Sequence, residues 1–130
     1  MITAYLVGIP AYYEGEDIEI RYSIHRGDEV ICKKSFYQDF VKPAVVGLKA
    51  FIALLEELQN IEADQFTIII NDPALNELLR GTSTTKNGEV LKVSSLARRK
   101  LQRFTKEISI QDVSTDYSQI VKWDEAISNK

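Results

Sequence analysis

Asp72 stands where an apolar strand turns into a helix, and a carboxylate in that position has two uses. In the segment FTIIINDPALNELLRG, residues 66–81, Phe66, Ile68, Ile69 and Ile70 form an apolar, mostly β-branched run of the kind buried in the middle of a sheet. Asp72 follows where a helix N-cap belongs, and Pro73 takes the first helical position. Leu75, Leu78 and Leu79 recur at helical spacing, and Gly81 closes the segment. A carboxylate at the C-terminal tip of a central strand holds a metal in many α/β enzymes. The same side chain is also an ordinary helix cap, and the rest of the chain leans toward the cap.

Other side chains that could do chemistry are few. His25 is the only histidine, so Ser–His or Cys–His catalysis would have to run through it. It follows an alternating run and precedes Arg26 and Gly27, which places it at a strand end, exposed in a turn. Cys32 is the only cysteine, which excludes an internal disulfide and a Cys-based zinc site, and it reads as a small core residue. Gly81 and Gly88 are isolated, so no glycine-rich phosphate loop is present.

Charge supplies a second feature. From Arg80 to Lys106 there are eight basic residues (Arg80, Lys86, Lys92, Arg98, Arg99, Lys100, Arg103, Lys106) against one acid, Glu89, a balance of +7. The rest of the chain carries 8 basic and 18 acidic groups, a balance of −10 behind the overall −3. Such asymmetry marks a localised anion-binding face, or a solvated helix whose cations pair with acids elsewhere in the fold. Arg98, Arg99, Lys100 and Arg103 cannot all share one helical face, since consecutive residues point about 100° apart.

The elements that must position these groups follow from periodicity. Ile2 to Ile9 reads as a strand. Glu14–Asp17 is a polar turn, and Ile18, Ile20, Tyr22 and Ile24 alternate with polar residues as a half-buried antiparallel strand. Arg26–Asp28 makes a tight turn into a third strand, Val30 to Phe36, completing a meander. Ala44, Val45, Leu48, Phe51, Ile52, Leu55 and Leu58 mark a helix of about five turns, with Asp39 as its cap and Pro43 in its first turn. The crossover through this helix makes the Phe66 strand parallel to one of the first three. TSTTKNG, residues 82–88, is a loop. Ser94 or Ser95 then caps a basic helix with Leu96, Leu101 and Phe104 as its apolar positions. Glu107 to Val113 is a fifth strand, and Ser114 or Thr115 caps a last helix carrying Ile120, Val121, Trp123 and Ile127. Tyr5, Tyr12, Tyr13, Tyr22, Phe36, Tyr37 and Phe40 gather in or near the meander, where core packing or a protein interface accounts for them better than base stacking.

With 130 residues, 45% hydrophobic and 27% charged, the chain is expected to form a single domain over 1–130 that buries roughly two thirds of its unfolded surface. No apolar stretch approaches the ~20 residues of a membrane span. MITAYLVGIPAYY has no basic flank before its apolar residues, so no signal peptide is expected, and the single cysteine suits a reducing, cytoplasmic setting.

The order of three meandering strands, helix, strand, short helix, basic helix, strand and C-terminal helix resembles the ribonuclease H-like superfamily over nearly the whole chain. IINDPALNELLRG is similar to the family's fourth strand and following helix. Ala50, Ala53 and Leu54 match small-residue and leucine positions of its first helix, and KWDEAIS resembles the terminal helix. The resemblance implies an α/β fold with a mixed five-stranded sheet, an antiparallel meander plus parallel strands, and helices packed on it. It also implies a site of four carboxylates holding two Mg²⁺ ions about 4 Å apart. Asp72 matches the fourth-strand aspartate and Asp124 the C-terminal one. The first-strand aspartate should fall near Val7 or Gly8 and the first-helix glutamate near Val45 or Val46, and neither acid is present.

The chain therefore resembles a degenerate member, akin to the ribonuclease H-like domains associated with reverse transcriptases. The expected function is non-catalytic binding without a cofactor, to nucleic acid through Arg98, Arg99, Lys100, Arg103 and Lys106. A protein-interaction module of the same fold is the alternative. A residual Mg²⁺-dependent nuclease built on Asp72 and Asp124 is a further one.

Overall fold

Alternating burial along the first two strands sets the architecture. A computed structural model describes residues 1–128. The strands are β1 (Ile2–Ile9), β2 (Ile18–Arg26), β3 (Glu29–Gln38), β4 (Gln65–Ile70) and β5 (Glu107–Asp112). The helices are α1 (Pro43–Leu58), α2 (Pro73–Arg80), α3 (Gly88–Gln102) and α4 (Tyr117–Ile127). The five strands form one mixed sheet in the order β3-β2-β1-β4-β5. β1 and β2 pair antiparallel, as do β2 and β3, whereas β4 lies parallel to both β1 and β5. The crossover through α1 thus brings β4 beside β1, as strand–helix–strand logic requires.

The main core lies between one sheet face and α1. Ile2, Ala4 and Leu6 of β1 and Ile20, Tyr22 and Ile24 of β2 point the same way, meeting Leu48, Phe51, Leu54, Leu55 and Leu58. Phe66, Ile68 and Ile70 of β4 extend this layer. α1 approaches β1 closely at Gly8, where a Cβ would lie 2.9 Å from Val46 Cγ1 and 3.0 Å from the Val46 carbonyl oxygen. A second, smaller cluster of Ala11, Ile18 and Val46, flanked by Phe40 and Val41, steadies the end of the sheet where β1 finishes.

Three helix starts differ from expectation. α1 has no side-chain cap: Asp39 lies too far upstream, and Lys42 takes the extended backbone that the residue before a proline favours. α3 begins at Gly88 rather than after Ser94 or Ser95, capped by Asn87, whose side chain accepts from the Glu89 and Val90 N–H groups. Ser94 is instead buried in mid-helix and donates to the Leu91 carbonyl. The buried stripe of α3 is Val90, Ser94 and Ala97, the last two small enough to let the helix pack closely, while Leu96 is exposed. α4 is capped by Asp116, one residue beyond Thr115; Ser114 turns its hydroxyl to Asp112. β3 also runs further than Val30–Phe36 at both ends.

Candidate functional site

Strand β4 delivers Asp72 to one end of the sheet, and the chain turns there because Pro73 opens α2. Asp72 Oδ1 accepts the Leu75 N–H at 3.0 Å, so the capping role is realised. Its own N–H donates to Asp112 Oδ1 at 3.1 Å. Asp112 closes β5, the parallel neighbour of β4, and its oxygens also accept the Ser114 N–H at 3.3 Å and the Ser114 hydroxyl at 2.7 Å. The carboxylates at the tips of the two parallel strands are thus tied to the backbone that terminates them.

Beside Asp72 lies a cavity of ≈ 70 Å³, lined by Leu6, Val7 and Gly8 of β1, Gly47 of α1, Ile70 to Asp72, Leu75, and Trp123 of α4. Asp72 is the only carboxylate in that lining. Its Oδ2 lies 3.0 Å from where a Cβ on Gly47 would stand. Trp123 lines the cavity, and its indole N–H donates to the Leu6 carbonyl at 2.9 Å. Asp124, expected beside Asp72, is exposed; its neighbour Trp123 takes the cavity position. On α1 the residue facing Asp72 is Gly47, one position beyond the expected Val45 or Val46, both of which are buried in the core. Among the described residues, no group of three or more His, Cys, Asp or Glu side chains gathers where it could hold a metal ion.

The basic segment divides by role. Arg98 donates to the Leu78 carbonyl at 2.8 Å, satisfying the C-terminal end of α2. Arg80 bonds Asn76, and Lys106 stands 3.9 Å from Asp64. Lys100 is half-buried. Lys92, Arg99 and Arg103 are exposed, and with Leu96 they follow helical spacing along one outward stripe of α3. The segment therefore brings together fewer free cations than its composition suggests.

His25 is not in a turn but within β2, half-buried, with Nε2 2.8 Å from Ser23 Oγ and its ring edge-on to Tyr5. Burial, and then the Lys33 charge, hold its pKa below the ordinary value. Ser23 is 1% exposed, so its hydroxyl is closed to a substrate. Sequence reasoning also missed the cluster on the core side of the meander. There Glu57 accepts from the Tyr22 hydroxyl at 3.0 Å and pairs with Lys34, and the Cys32 thiol stands 3.7 Å away. The Lys34 ammonium holds Glu57 below the usual carboxylate range, while burial raises the Cys32 thiol, which leaves it a poor nucleophile. Asp112 was missed as well. Its only sequence signal is an acid ending an apolar alternation with a serine two residues on, the pattern of a local side-chain turn.

No family model matches the chain, and no curated protein matches it in sequence. Solved structures do match in shape. Ribonuclease H1 from the halophilic archaeon Halobacterium salinarum superposes with a TM-score of 0.77 at 18% identity, covering 91% of this chain and 89% of that one. The N-terminal RNase H domain of a Mycobacterium tuberculosis protein gives 0.75 at 14% identity, over 97% and 89%. LC11-RNase H1, solved with an RNA/DNA hybrid, gives 0.77 at 15% identity, over 98% and 94%. At such identities the likeness is one of fold: this chain has the ribonuclease H-like α/β fold.

Proposed function

We propose that this chain is a non-catalytic ribonuclease H-like domain that acts by binding, with nucleic acid held through the outward stripe of α3. One observation carries the non-catalytic part. Where the resemblance calls for acids, the cavity beside Asp72 presents Val7 and Gly8, Gly47 and Trp123. A pair of Mg²⁺ ions needs several carboxylate oxygens. Here one Asp72 oxygen serves the α2 cap and the other lies over Gly47, so this donor set does not fit the pair, and no hydrolytic step is derived through it.

The binding part is supported by the exposed cations Lys92, Arg99 and Arg103, with Lys86 on the preceding loop. The hybrid bound to LC11-RNase H1 is compatible with a nucleic-acid ligand on this fold. Lys100 is half-buried, Lys106 stands near Asp64, and Arg98 contributes little because it is engaged by α2. Phosphate contacts of this kind are sequence-independent and strongly salt-dependent. The test is titration of an RNA/DNA hybrid at about 50 mM and about 200 mM salt, a range over which several phosphate contacts are worth orders of magnitude in affinity. Replacing Arg99 and Arg103 by Gln should reduce the salt slope by about 2. Absence of binding at the lower salt would remove the polyanion reading.

A residual nuclease is tested in the same samples with Mg²⁺ or Mn²⁺: cleavage by the wild type that Asp72→Asn abolishes would overturn the non-catalytic reading. The alternative, a protein-interaction module, is favoured by one observation: Tyr12, Tyr13 and Tyr37 of the meander are 80%, 72% and 68% exposed. Among the described residues no helix is long and apolar enough to cross a membrane. A cytoplasmic location is part of this proposal, resting on the single cysteine.

A further inference from the structure

The exposed tyrosines belong to a surface unlike that of α3. The turn between β1 and β2 carries Tyr12, Tyr13, Glu14, Glu16 and Asp17, all exposed, and Tyr37 stands at the same end of the sheet because it pairs with Glu19 near the start of β2. The Ala11–Ile18–Val46 cluster fixes the base of this tip. Among the described residues, no ion pair or side-chain hydrogen bond engages the carboxylates of Glu14, Glu16 or Asp17. The tip is therefore an aromatic patch rimmed by free negative charge.

Arg99 and Arg103 lie toward the other end of the molecule. Arg103 precedes β5, whose first residue pairs with Gln65 at the start of β4, and β4 runs parallel to β1. β1 has eight residues, which at ~3.3 Å each separate the two ends of the sheet by about 25 Å. The tip of each copy is thus separated from its own Arg103 by about the length of the sheet. The stripe offers cations on either side of exposed Leu96. Guanidinium groups stack on tyrosine rings and bond carboxylates, and Leu96 suits the aromatic faces. The two surfaces match in charge and in apolar content.

We propose that the tip of one copy docks on the α3 stripe of a second copy, a head-to-tail contact through which the chain self-associates. This does not rest on nucleic-acid binding, but a polyanion on the stripe would compete with it. Because the contact is heterologous, the dimer keeps one free tip and one free stripe, so association continues beyond it unless one surface is removed.

Sedimentation velocity on the full chain tests this. The wild type should show concentration-dependent oligomers at about 50 mM salt and revert to monomer as screening shortens the Debye length toward about 3 Å at 1 M. Glu14→Gln/Glu16→Gln/Asp17→Asn and Arg99→Gln/Arg103→Gln each lose one surface and should be monomeric alone. Mixed, they retain one complementary pair and should give a one-to-one dimer and nothing larger. All five positions are exposed, and unchanged circular dichroism would confirm that the variants fold. A wild type that stays monomeric at low salt, either variant still self-associating, or a mixture without dimer would overturn the proposal. So would a monomeric wild type that binds an arginine-rich peptide at the tip, which would give that surface to a foreign basic segment. Self-association without hybrid binding would leave this inference standing and remove the polyanion reading alone.

Discussion

Asp72 shows how a single side chain can look catalytic and work as a fastener. Its Oδ1 holds the Leu75 N–H, so Asp72→Ala should cost about 1 kcal/mol in denaturant unfolding. If the carboxylate serves only as a cap, the midpoint shift should be the same with and without Mg²⁺. Gly8 is the tighter constraint. Any side chain there meets the Val46 backbone as well as its methyl group, so Gly8→Ala should destabilise by about 1–3 kcal/mol. Gly88→Ala, with nothing within 4 Å of its Cβ, is the control and should be neutral or slightly stabilising. An aspartate at position 8 would meet the same wall, so a missing first-strand acid cannot be restored there without moving α1. Glu57 supplies a pH signature. Paired with Lys34, its folded-state pKa lies below the ordinary glutamate value, so its contribution is present above that value and lost as pH falls through the depressed one. In Glu57→Gln that component of acid destabilisation should vanish, which urea melts between pH 6 and 3 would reveal.

Among the elements, the strands and α1 were legible because each has a strong apolar period: Ile18, Ile20, Tyr22 and Ile24 alternate, and α1 repeats every three or four residues. α3 was not, because its buried stripe is built from Ser94 and Ala97, which in sequence look like surface residues. Leu96, apolar but exposed, suggests the opposite face, and Ser94, a residue type that favours caps, packs in mid-helix instead. Asn87→Ala should therefore cost about 1 kcal/mol, while Ser95→Ala, at an exposed helical position, should change stability by a few tenths at most. The part of the site missed for the same reason is Gly47, whose importance is the absence of a side chain. Asp112 was hidden differently. That it meets Asp72 depends on β5 lying parallel to β4, a pairing that no local pattern announces.

At the scale of the whole molecule, the order of elements was enough to anticipate the ribonuclease H-like sheet, because meander, crossover and parallel strands leave few topologies open. Charge on the folded chain is less simple than charge along it: Arg98 and Lys106 have partners within the fold, so a hybrid titration should depend on Arg99 and Arg103 more than on Arg98. Trp123 carries one consequence of practical value. It is the only tryptophan, it stands on α4, and its indole bonds β1, while Ile127 is the one buried residue of that helix. The last helix is thus lightly held, and the chain's sole indole emitter sits at its point of attachment. Ultraviolet-excited emission should redden when α4 peels away, at milder denaturant than the loss of strand ellipticity, so an ordinary fluorimeter can time the opening of this end of the molecule.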